Sequence, residues 1–232
     1  MENKICAIHQ PNFFPWLGYF HKIKHSDVFV ILDDVQHPKK GGTWLNRVAI
    51  NVKGEKAWLT APIVRQSGLW KVNETEFQKS NWRDKLIRTL QVNYAKCSFY
   101  NEYSDLIYKL IRFPSDNLVE YNVNAISQIC NILLIDFNEK AVYQSGLATN
   151  SNATELLIEL VKKVDATTYL CGGGADGYQE DEKFLEKGVQ LEYQYFQHPE
   201  YNQATNENFV SGLSIIDALF NVGAKRVIQM LE

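Results

Sequence analysis

The chain opens with an apolar run, Ile5 to Ile8, that stops abruptly at His9-Gln10-Pro11-Asn12. A short unbroken apolar run bounded by a polar turn reads as a buried strand. Pro15 suits the first turn of a helix, where its missing N–H costs nothing, and the helix is predicted to run through Trp16 to about Lys24. Beyond Asp27, Val28-Phe29-Val30-Ile31-Leu32 has no polar break, as in a strand covered on both faces, and it ends in Asp33-Asp34. Strand, helix and strand in this order predict a βαβ unit with parallel pairing.

The rhythm then changes. Residues 47–52 and 57–64 flank Lys53-Gly54-Glu55, which predicts a β-hairpin. Residues 81–133 carry apolar side chains at helical spacing, interrupted at Pro114, and predict a helical layer or subdomain. From residue 141 strands and helices alternate again. A short strand is followed by a helix capped at Asn152 or Thr154, and a buried strand runs from Thr167 to Cys171. A helix ending at Gly188, an alternating strand up to Phe196 and a closing amphipathic helix broken near Gly223 complete the chain. The expected architecture is one α/β domain over residues 1–232. It has a mostly parallel sheet with flanking helices, Rossmann-like, and the helical layer of residues 81–133 as an insertion within it.

Composition narrows the function classes. The formal net charge is −3 over 232 residues. The nearest approach to a basic patch is Lys39, Lys40 and Arg47 in one glycine-containing loop. That is enough for one phosphate or carboxylate, or simply for a solvated loop, so nucleic acid is not an expected partner. The four cysteines, Cys6, Cys97, Cys130 and Cys171, are widely spaced without a CxxC pair, which predicts reduced thiols and no metal site. The N-terminus has no signal-peptide pattern and no run is long enough to cross a bilayer. A cytoplasmic protein without a transmembrane segment is expected; monomer and homodimer are both open.

In open parallel sheets, ligands bind beyond the carboxyl ends of the strands. His9, Gln10, Asn12, Asp33 and Asp34 fall there and are the first site candidates. His9 and His198, each just after a strand, suit proton transfer near neutral pH; the plain alternative is a histidine that fixes a turn. Asp33 and Asp34 suit acid–base work or a divalent ion held with substrate phosphates, or else cap a turn. Asn46 and Arg47 follow, with Arg47 able to clamp an anion or to pair with Asp34. Gly172, Gly173 and Gly174 let a backbone approach a ligand closely, although neither a P-loop nor a dinucleotide fingerprint is present. Trp16 and Tyr19 sit where flat rings can stack on a sugar or base, and Tyr201 lies in the loop after the last strand. His21, His25 and His37 read as surface or helix residues without a role.

The run IHQPNFFPWLGYFHKIKHSDVFVILDDVQ resembles the opening of WbqC-like proteins. So do Asn46-Arg47, WLTAPI, YLCGGGADGY, QHPEYNQ and LSIIDALFNVG, in family order and over nearly the whole chain. One departure is Ala175, where the family pattern has a further glycine. The layout is also similar to that of the nucleotidylyltransferase superfamily, whose HxGH signature falls on Trp16-Leu17-Gly18-Tyr19. The glycine is kept and both histidines are absent, which removes the cationic support for phosphoryl charge that the signature supplies.

The WbqC-like resemblance implies bacterial O-antigen and surface-glycan biosynthesis. With the candidate cleft it implies a transferase that modifies a nucleotide-linked amino sugar, for instance by N-acylation. Two other readings stay open: an ATP-dependent ligase or nucleotidyltransferase, and a non-catalytic sugar-nucleotide-binding partner. No motif names a cofactor; an acyl donor fits the first reading and ATP with Mg²⁺ the second.

Overall fold

The computed structural model describes residues 3–38, 43–172, 180–204 and 208–232. Among them, five strands form one parallel sheet: β1 (Ile5–His9), β2 (Val28–Ile31), β5 (Ala141–Tyr143), β6 (Thr168–Gly172) and β7 (Gln190–Gln194). They stand in the order β5-β2-β1-β6-β7, and every neighbouring pair is parallel. The chain winds outward from β1 through β2 to β5, then returns to the other side of β1 to add β6 and β7. The direction of winding reverses between β1 and β6, which makes that gap the topological switch point.

This is the Rossmann-like α/β layout that the apolar runs predict. The four residues of β2 are all buried, as a central parallel strand requires. Side-chain alternation divides the sheet between two cores. Ala7, Phe29, Ile31 and Leu170 face one core, built with α1 (Leu17–Lys24), α2 (Trp82–Tyr94), α3 (Tyr100–Ile111), α4 (Leu118–Ile132) and α8 (Ile215–Met230). Cys6, Ile8, Val28, Val30, Tyr169 and Cys171 face the other, built with α6 (Ala153–Lys163) and α7 (Asp181–Glu186). The crossover from β2 to β5 carries an antiparallel hairpin, β3 (Arg47–Val52) with β4 (Glu55–Thr60), then α2 to α4 and the short α5 (Phe137–Lys140). The expected helical layer is therefore three helices that share a core with one sheet face. No helix among the described residues is long and apolar enough to cross a membrane.

α8 breaks where the sequence suggests, at Gly223, whose φ of +73° suits a residue without a Cβ. An added Cβ would stand 2.7 Å from Phe99 Cδ1. Gly223→Ala therefore combines backbone strain with a clash and is expected to cost about 2 kcal/mol or more, read as a lower midpoint in denaturant.

His37 differs from expectation. It is buried and stacked on Trp70 with ring centroids 5.3 Å apart, because the backbone of Trp70 accepts its N–H and draws the segment after β2 inward.

Candidate functional site

The loop from Gln10 to Trp16 joins β1 to α1 and meets the site at both its ends, and it is fixed from below. Asn122 on α4 donates through Nδ2 to the carbonyls of Pro11 (2.8 Å) and Leu45 (2.7 Å). Phe13 N–H donates to Trp44 O, and Ser214, the N-cap of α8, donates its hydroxyl to Phe14 O. Phe14 is held at φ 40°, a left-handed conformation that costs a bulky residue energy and persists only under such constraint.

Beyond the carboxyl ends of the sheet lies a cavity of about 540 Å³, inside the roughly 300–1,000 Å³ range of small-molecule sites. Ile8 and His9 at the end of β1, Leu32 after β2, Gly172 ending β6 and Gln194 ending β7 contribute to it, so it straddles the switch point. α1 forms one wall through Gly18, Tyr19 and Lys22, with Trp16 at its N-cap. Phe196 and His198 close it from the loop after β7. A Cβ on Gly18 would come within 3.0 Å of Phe196 and 3.1 Å of Trp16 Nε1, so only glycine lets these two rings meet α1. Gln194 Nε2 locks the contact by donating to Gly18 O and to His21 Nδ1, both at 2.8 Å.

Among the predicted residues, His9, Gln10, Trp16, Tyr19, Gly172 and His198 come together on this cavity. His9 Nδ1 lies 3.0 Å from the Gln10 carbonyl. A carbonyl only accepts, so Nδ1 carries the hydrogen and Nε2 is the basic nitrogen of the neutral ring. Tyr19 donates to the same carbonyl and packs edge-on to His9 at 4.9 Å, fixing the imidazole rather than offering its own buried hydroxyl. Burial, and secondly the charge of Lys22, push the His9 pKa down to about 3. His198 is also lowered, by burial and by Lys56. Both rings are neutral at neutral pH.

The other predicted residues lie elsewhere. Asp33 is buried and accepts from Ser145 N (2.9 Å) and Ser145 Oγ (2.7 Å), which ties the end of β2 to the turn after β5. Asp34 pairs with Lys71 at 2.8 Å and accepts from Asn73, and the Lys71 ammonium holds its carboxyl below the usual range. Lys71, not Arg47, is thus the cation on Asp34. Arg47 lays its guanidinium over the Trp58 ring. Asn46 braces a turn, donating to Ala61 O. Asn12 is buried off the cavity, and its Nδ2 has no partner among the described residues. Tyr201 donates to the buried carboxylate of Asp217. Gly173 and Gly174 lie outside the described residues. Among the described residues, no three His, Cys, Asp or Glu side chains converge on a metal position.

Lys22 is the site residue that the motif reading passed over. Its side chain is 4% exposed, in the wall of the cavity. Among the described residues its ammonium has one carbonyl acceptor, Ile8 O at 3.4 Å, and it stands 5.9 Å from the centroid of the Tyr169 ring. No carboxylate among the described residues pairs with it. Burial lowers its pKa to about 8, with smaller opposing effects from the Cys171 and Cys6 thiols. A buried cation with so little compensation among the described residues is costly, which makes Lys22 a functional-site candidate. Helical spacing carried the signal: Lys22 stands three and four positions beyond Tyr19 and Gly18, on the face already facing the site.

A family-wide profile of the WbqC-like protein family matches residues 10–229. The chain is also similar to "Uncharacterized protein Rv1507c" of Mycobacterium tuberculosis (strain ATCC 25618 / H37Rv), with 31% identity over 225 residues, 96% of this chain and 95% of that protein. No solved structure matches the chain. With the opening block forming the β1 turn, α1 and β2 around the cavity, and the profile running through α8, the chain belongs to the WbqC-like protein family.

Proposed function

We propose that the cavity binds a nucleotide-linked amino sugar and that the protein transfers an acyl group to the sugar amine in surface-polysaccharide biosynthesis. The observation that carries this reading is Lys22: a buried ammonium that no carboxylate among the described residues pairs with, in a cavity at the switch point of a parallel sheet. A diphosphate supplies the missing negative charge, and this is where such sheets receive nucleotides. Family membership supports the pathway. His9 supplies the chemistry: Nε2 accepts the proton as the amine nitrogen attacks the acyl carbon, the N–C bond forms, and the donor's leaving group departs with its bonding electrons. A bound diphosphate offsets the Lys22 charge, the second cause after burial of the low His9 pKa, and so moves that pKa upward.

The test is a thermal-shift series with UDP, dTDP and GDP and their amino sugars, followed by mass spectrometry of the sugars with acyl-CoA donors. A ligand at about a hundred times its Kd stabilises by about 2.7 kcal/mol. Nucleoside diphosphates are expected to raise the melting temperature, and the effect fades as pH rises through about 8, where Lys22 loses its proton. Absence of a shift with every nucleotide, or a shift that ignores Lys22→Met, overturns the ligand. Binding without a mass change in any sugar overturns the transfer step.

A further inference from the structure

The β3–β4 hairpin turns one face inward and one away from the core. Val48, Ile50 and Leu59 point inward and fill the core. On the outer face Lys56, Trp58 and Thr60 alternate along β4 and are all exposed. Trp58 stands opposite Ala49, which is too short to cover an indole. Arg47 lays its guanidinium 4.1 Å from the Trp58 ring centroid, and the Trp44 ring meets Trp58 at 5.3 Å. Even so, Trp58 keeps 51% and Trp44 40% of its surface exposed. Folding alone does not favour this, because indoles gain much from burial. The charge is lopsided too. Residues 43–60 carry Arg47, Lys53 and Lys56 against one acid, Glu55, in a chain of net charge −3. Lys53 sits with Gly54 in the turn at the hairpin tip, between the paired residues Val52 and Glu55. Neither Lys53 nor Lys56 pairs with a carboxylate among the described residues.

We infer that the outer face of this hairpin docks on an anionic lipid bilayer, with Trp44 and Trp58 in the headgroup interface and Arg47, Lys53 and Lys56 at the phosphates. The inference does not depend on the ligand proposed for the cavity. Three arguments choose a bilayer. Tryptophan favours the membrane–water interface, where its amphipathic ring sits at headgroup level. Lysine and arginine lay their stems along apolar surface and keep their charged heads at its polar edge, and each such cation near an anionic leaflet multiplies partition about fivefold. Cations spread over tip and face suit a diffuse negative surface better than one directional acceptor. Area argues against a protein partner: two half-exposed indoles offer about 200 Å² in all, against roughly 800 Å² per side of a stable protein interface. The same face borders the cavity. Trp44 lies 4.9 Å from Trp16, which lines the cavity, and Lys56 is close enough to His198 to lower its pKa. Docking therefore places the cavity beside the lipid headgroups.

Co-sedimentation of the full chain with vesicles decides the matter, using phosphatidylcholine alone and phosphatidylcholine mixed equally with phosphatidylglycerol. Binding is expected to the mixed vesicles and not to phosphatidylcholine alone, and it falls as added salt screens the charges. Trp58→Ala is expected to weaken it about tenfold, and Lys53→Glu with Lys56→Glu about a hundredfold or more. All three side chains are exposed, so the melting temperature stays near that of the wild type. As a control, Lys162→Glu with Lys163→Glu makes the same change in net charge on α6, which packs on the other sheet face, and is expected to bind like the wild type. An equal loss in this control reduces the attraction to net charge and overturns the inference. So does absence of binding to the mixed vesicles, equal binding to both kinds, or binding that ignores Trp58→Ala or the hairpin charge reversal. A wild-type dimer in sedimentation velocity that Trp58→Ala dissociates assigns the face to a second copy of the chain and overturns it as well.

Discussion

Lys22→Met is expected to melt several degrees above the wild type while losing its response to nucleoside diphosphates. Among the described residues, the ammonium has only a long hydrogen bond to Ile8 O and a distant Tyr169 ring to offset its desolvation. Met keeps the length of the side chain and removes the charge. A pKa moved from 10.5 to about 8 corresponds to roughly 3 kcal/mol at about 1.36 kcal/mol per unit, an order-of-magnitude figure. At this chain length that is a gain of roughly 6–12 °C.

The pH dependence makes the cause visible. The native state loses the Lys22 proton near pH 8 and the unfolded chain only near 10.5, so between those values the unfolded state binds more protons and wild-type stability rises with pH. The advantage of Lys22→Met is therefore full below about pH 8 and shrinks as pH approaches 10.5. Thermal melts of both proteins from pH 7 to 10 measure the difference and cancel the titration of other groups. A destabilised Lys22→Met at pH 7 would make Lys22 a structural residue and remove the main support for an anion in the cavity. A gain in stability with a loss of binding is the exchange expected at a functional site.

Asp217→Ala has the opposite sign and the largest expected cost. Its carboxylate is fully buried in the first turn of α8, where the helix dipole favours negative charge. Oδ2 accepts from Tyr94 Oη at 2.8 Å. Oδ1 accepts from Tyr201 Oη at 2.7 Å, Gln203 Nε2 at 3.1 Å and Asn221 Nδ2 at 3.3 Å. Burial pushes the Asp217 pKa up and these four donors pull it back. Tyr94 also receives the Asn51 N–H, so the network joins β3, α2, α8 and the loop that carries His198. Truncation strands several buried donors at about 1–3 kcal/mol each. A total loss of about 4 kcal/mol or more is expected in urea denaturation, with earlier proteolysis at residues 198–204. Asp217→Asn keeps one accepting oxygen and is expected to lose about half as much. A loss below about 1 kcal/mol for Asp217→Ala would show that water replaces the carboxylate and that the network is not what anchors this loop.

The sequence by itself determined the local elements and the order in which they come. Unbroken apolar runs marked β1, β2 and β6, because a strand buried on both faces has no polar side. Helical spacing marked α2 to α4, and a lone glycine marked the break in α8. The rule that ligands sit beyond the carboxyl ends of parallel strands drew attention to His9, Gln10 and Gly172, which the fold brings to one cavity with Trp16, Tyr19 and His198. Only the tertiary structure decided the partners of the remaining polar residues. Asp33 and Asp34 look alike in sequence, yet one is closed by Ser145, more than a hundred positions away, and the other by Lys71. Tyr201 and Asp217 stand in separate motifs and meet because α8 packs under the loop. Lys22 reads as one more helix lysine until the packing of α1 against β1 and β6 removes its water. Local pattern follows from which residues must leave water; charge pairing and pKa depend on distances between segments that no local pattern records.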